Sequence, residues 1–73
     1  MNITLTSTSE IVMINGVPAR IWQGHTDSGI ELHAFITRIA VHEDLAMEQF
    51  DQELKATTPP VGIPKYPEHL FIP

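Results

Sequence analysis

The chain has 73 residues, no cysteine, and nine acidic against four basic side chains, a formal net charge of -5. A chain this short buries only about 60% of its unfolded surface, leaving a small core and little room for a deep catalytic cleft. The acidic balance is the wrong sign for neutralising nucleic-acid phosphates, and without thiols neither disulfides nor thiolate metal sites can reinforce the fold.

No apolar run reaches the roughly 18 residues of a membrane span, and the first residues, Met-Asn-Ile-Thr-Leu-Thr, lack the charged and apolar regions of a signal peptide. The expectation is a soluble, unexported protein, with no direct contact to nucleic acid or membrane. A basic protein partner suits the charge better.

Residues 2–9 alternate apolar and polar only as far as Leu5 and then become a Ser/Thr run. Residues 1–9 are therefore expected as an N-terminal arm or a short edge strand. From Glu10 to Val41 the pattern is that of three strands joined by two tight turns. Asn15-Gly16 lies between two β-rich runs, and both residue types tolerate the positive φ of a type I′ turn. A two-residue loop there sets Ile14 opposite Val17, Met13 opposite Pro18, Val12 opposite Ala19 and Ile11 opposite Arg20. Pro18 has no N–H to give the third strand, so the second ladder should fail or bulge near Pro18 and Thr37.

A four-residue turn at Thr26-Asp27-Ser28-Gly29 sets His25 opposite Ile30, Ile21 opposite Ala34 and Ala19 opposite Ile36. The two registers together divide the sheet into faces. One face carries Val12, Ile14, Val17, Ala19, Ile21, Ile30, Leu32, Ala34 and Ile36, and is the expected core. The other carries Ile11, Met13, Arg20, Trp22, Glu31, His33, Phe35 and Thr37. It mixes large apolar groups with charges, which fits neither a core nor an ordinary solvent face. Either a chain end lies over it or a partner protein does, because Trp, Met and Arg are enriched at interface centres.

From Glu43 to about Ala56 the period becomes helical. Ala46, Met47, Phe50 and Leu54 form an apolar stripe, with Glu43, Asp44, Glu48, Asp51 and Glu53 mostly elsewhere. The stripe should cover the core face of the sheet, and the acidic side is a solvated face or a second contact surface. From Pro59 onward the chain holds five of its six prolines. Residues 57–73 are expected as an extended tail ending in the apolar Leu70-Phe71-Ile72.

The predicted fold class is α+β: a three-stranded antiparallel meander packed on one helix over residues 10–56, followed by the proline-rich tail. Nothing in it points to catalysis or to a cofactor. His25, His33, His42 and His69 match no zinc spacing, so no metal is expected. His25, Asp27 and Ser28 lie within one turn, too close for an acid to orient a base toward a nucleophile. Asp27 and Ser28 are read as turn formers, and no glycine pattern for phosphate is present.

The stretch NGVPARIWQGHTDSGIELHAFITRIAV, after ITLTSTSEIV, resembles short accessory proteins of bacteriophages and mobile elements of proteobacteria. The chain is also similar in size to a Xanthomonas phage inhibitor of bacterial RNA polymerase. The resemblance implies a non-enzymatic protein in the cytoplasm of a bacterial host that binds host polymerase, inhibits transcription initiation and assists antitermination. It carries over no catalytic residue. The expected partner contacts, read from the mixed face, are Ile11, Met13, Arg20, Trp22, His33 and Phe35. The alternative is a structural or assembly protein that pairs with its own copies.

Overall fold

Asn15 and Gly16 have φ of 50° and 81°, the two positive values a type I′ turn requires. The hairpin around them has the expected register, with Ile14 opposite Val17 and Ile11 opposite Arg20. In the computed structural model, which describes residues 1–55 and 65–73, the strands are β1 (Ile3–Ile14), β2 (Val17–Thr26) and β3 (Glu31–Ile36). They form one antiparallel sheet in the order β1-β2-β3, followed by helix α1 (Asp44–Lys55) and a 3₁₀ turn at Glu68–Leu70. The architecture is α+β. Most of the proline-rich segment, residues 56–64, lies outside the described residues.

The N-terminal Ser/Thr run is not a separate arm, because Ile3 to Ser7 pair with Thr26 to Trp22 as the first half of β1. Between Ser7 and Ile11 the register shifts, so that Thr8, Ser9 and Glu10 together oppose Ile21. Thr8 is fully buried in this bulge. Its hydroxyl donates to the Ile21 carbonyl at 2.6 Å and accepts the Glu10 N–H at 3.3 Å. Arg20 Nη1 donates to the Thr8 carbonyl at 2.8 Å. Threonine suits the position because its branched side chain fits a strand while its hydroxyl satisfies backbone groups that the broken ladder leaves open.

The second turn departs from expectation by one residue. The Gly29 N–H donates to the Thr26 carbonyl and the Thr26 N–H to the Ile30 carbonyl, both at 3.0 Å, and Gly29 has φ of 92°. The loop is therefore the three residues Asp27-Ser28-Gly29, a turn closed by a left-handed glycine, with Thr26 paired to Ile30. The buried Thr26 hydroxyl accepts the Ile30 N–H at 3.1 Å and shares a hydrogen bond with Ser28.

This shift places Ile21 opposite Phe35 and Trp22 opposite Ala34. A one-residue slip turns every β3 side chain to the other face. Val12, Ile14, Val17, Ala19 and Ile21 therefore share a face with His33 and Phe35. Ile3, Leu5, Ile11, Met13, Pro18, Arg20 and Trp22 share the other with Leu32, Ala34 and Ile36. The β2–β3 ladder ends at Arg20 and Ile36, short of Pro18, where the missing N–H was expected to end it.

Ala19 and Ile21, each 1% exposed, are the buried hydrophobics among the described residues. On their side of the sheet, Phe35 meets the end of the chain. Its ring centroid is 5.3 Å from that of Phe71 and 6.2 Å from that of Tyr66, and the Tyr66 hydroxyl is hydrogen-bonded to His33 Nδ1. The 3₁₀ turn, closed by the Leu70 N–H to the Pro67 carbonyl, brings both rings to this point.

The helix lies on the opposite side from the one its apolar stripe was expected to cover. Phe50 and Leu54, half-buried, face Ile11, Pro18, Arg20, Trp22 and Ile36 across a cleft, while Ala46 and Met47 are exposed. Across this cleft α1 borders the sheet without packing closely on it. No residue of α1 is fully buried.

Candidate interaction surface

The two faces give the expected contact residues two different settings. Ile11, Met13, Arg20 and Trp22 stay together on the α1 side. His33 and Phe35 lie on the opposite side, where Tyr66 and Phe71 contact them. The six residues do not form one surface. The question whether a chain end or a partner covers the mixed face has a divided answer: the tail meets the β3 members, Ile11, Arg20 and Trp22 line a cleft with the helix, and Met13 is exposed.

Near the first hairpin that side is open. Ile11 and Met13 are 54% and 62% exposed, and Ile39 is also exposed. From Ile11 the surface continues into the cleft between the sheet and α1, about 380 Å³ in volume. Its sheet wall is Ile11, Pro18, Arg20, Trp22 and Ile36. Thr37, Arg38 and Ile39 form one end, and Phe50, Asp51 and Leu54 form the helix wall. The volume is within the range of small-molecule and side-chain pockets, about 300–1,000 Å³.

Both of the chain's arginines, Arg20 and Arg38, border this cleft. The acid there, Asp51, forms an ion pair with Lys55 at 2.9 Å. The hydrogen bond that Lys55 donates to the Asp51 carboxylate, and then the carboxylate's charge, hold the Lys55 ammonium above the ordinary lysine value. Trp22 Nε1 is buried and, among the described residues, has no hydrogen-bond partner. An indole N–H is a donor only, so it stands desolvated without an acceptor.

Ile36, Arg38, Ile39 and the helix residues of the cleft were not among the expected contacts. Ile36 was assigned to the other face by the displaced register, and Arg38 and Ile39 lie beyond the end of β3. Glu43, just before α1, and the helix acids Asp44, Glu48 and Glu53 are exposed and are not among the cleft-lining residues. No group of three His, Cys, Asp or Glu able to hold a metal occurs among the described residues, and no described helix is long and apolar enough to cross a membrane.

The chain matches no family profile, no curated protein and no solved structure.

Proposed function

We propose that this is a non-enzymatic interaction protein, phage-encoded, which acts in the bacterial cytoplasm by binding host RNA polymerase, inhibiting transcription initiation and promoting antitermination. The structural observation that carries the interaction reading is the open apolar surface of Ile11 and Met13, continuous with the Trp22 cleft. Apolar groups left exposed beside arginine and tryptophan on so small a domain are the composition of a protein contact. The choice of polymerase rests on the resemblance to phage accessory proteins.

The test is capture from host lysate followed by promoter-dependent transcription with purified polymerase. Retention of polymerase subunits and a fall in initiation on addition of the protein support the proposal. Reproducible recovery of a different complex, with initiation unchanged, refutes it.

A second reading, self-association, is favoured by the 12-residue strand β1 at the edge of the sheet. An edge strand offers N–H and C=O groups to another copy. The bulge at Thr8–Glu10 interrupts that edge, so a second strand can pair only before or after it. Solution mass by sedimentation decides: a monomer at working concentration removes this reading.

A further inference from the structure

We infer that the cleft between α1 and the sheet binds a partner segment presenting a carboxylate beside a large apolar side chain, an acidic and aliphatic peptide. This deepens the interaction reading above and does not depend on the partner being polymerase.

Charge is the first argument. In a chain of net charge -5, both arginines border one cleft. The acid that shares it is already paired with Lys55. Arg20 gives Nη1 to the Thr8 carbonyl, which fixes the guanidinium plane and leaves its other N–H groups for a ligand. Arg38 is exposed at the end of the cleft, and among the described residues neither arginine has a carboxylate within ion-pair distance. Two guanidinium groups bordering one apolar cleft suit a carboxylate with an aliphatic neighbour, and they disfavour a basic segment.

The second argument is the unpartnered indole. Trp22 borders the cleft, and its buried N–H has no acceptor among the described residues; a peptide carbonyl or carboxylate that reaches it as the wall adjusts would supply one. The third is the apolar lining. Ile11, exposed, and Ile36, Phe50 and Leu54, half-buried, leave apolar surface for an entering side chain to cover, and α1, with no residue fully buried, can adjust to it.

Trp22 is the chain's single tryptophan, so its indole N–H gives one resonance in a ¹⁵N correlation spectrum. The full chain is titrated with nine-residue peptides in which leucine alternates with aspartate, asparagine or lysine, and separately with decanoate. The aspartate peptide is expected to move the indole resonance and saturate, with the asparagine and lysine peptides weaker by about tenfold or more. In Arg38→Gln the same titration is expected to weaken by about tenfold while the sheet amides keep their positions.

Equal binding of all three peptides, preference for lysine, binding of decanoate alone, or an unmoved indole resonance at millimolar peptide would each overturn the inference. So would unchanged aspartate-peptide affinity in Arg38→Gln. Capture of polymerase by Arg38→Gln, beside loss of peptide binding, would place polymerase contact elsewhere and leave the peptide site standing.

Discussion

Substituting Gly24 tests the pairing of the N-terminal half of β1, because a Cβ at this position would overlap the Thr4 carbonyl oxygen. Real Cβ contacts do not fall below 3.0 Å, so Gly24→Ala requires the two strands to separate by more than an ångström. Both sides of the contact are backbone, and no side-chain rotation relieves it. At an open strand position the same change would raise stability by about 0.5–1 kcal/mol, since alanine loses less conformational freedom on folding. Here overpacking of about 1–3 kcal/mol, with a ladder hydrogen bond or two at about 1 kcal/mol each, reverses the sign and gives a net loss of about 2–4 kcal/mol.

Urea unfolding followed by Trp22 fluorescence measures the total, and amide exchange locates it. Faster exchange at Ile3 to Ser7 with little change at Val12 and Ala19 is the expected pattern. A Gly24→Ala protein as stable as the parent or more so, with the amides of Ile3 to Ser7 equally protected, would refute the close approach of β1 to β2.

Other substitutions report on the bulge, the second turn and the tail. Thr8→Val keeps the branched shape but removes the hydroxyl that serves Ile21 and Glu10, and should cost about 1–3 kcal/mol in the same urea experiment. Thr26→Val deprives the Ile30 N–H of its side-chain acceptor and should also destabilise, whereas the four-residue alternative loop predicts little change; the midpoint of thermal unfolding separates them. Phe71→Ala should free the end of the chain without unfolding the sheet, seen as loss of nuclear Overhauser contacts between Tyr66 and Phe35. Phe35→Ala should weaken the same contacts and leave partner capture intact, while Trp22→Ala should weaken capture and leave the sheet folded.

What the sequence made legible follows the strength of each local constraint. Asn15-Gly16 admits one short turn, and the register from Ile14–Val17 to Ile11–Arg20 follows from it. Thr26-Asp27-Ser28-Gly29 admits two loops, because Thr26 can serve as the first loop residue or as the last paired one. The choice depends on hydrogen bonds of Thr26 that residue types alone do not reveal. That single step moved His33 and Phe35 away from Trp22 and brought Ile36 to it.

The helix was legible from the spacing of Phe50 and Leu54, but its side was not. An apolar stripe does not by itself select between two faces that both carry apolar groups. The Ser/Thr run left residues 1–9 open between an arm and a short edge strand, since hydroxyl side chains suit a loop as well as a strand until the bulge gives Thr8 its partners. The contact of Phe71 with Phe35 spans too much chain for any local pattern to specify.

The bulge also governs how the chain can change in length. Two residues are added there relative to β2, and because side chains alternate with period two, an even insertion leaves the parity of β1 unaltered on both sides of it. Leu5 and Ile11 thus share a side despite the interruption. Loss or gain of a residue pair at Thr8–Glu10 would keep the same side chains facing α1. A single-residue change would turn Ile3, Leu5 and Ser7 over against a fixed β2, much as a shift of reading frame alters everything on one side of it.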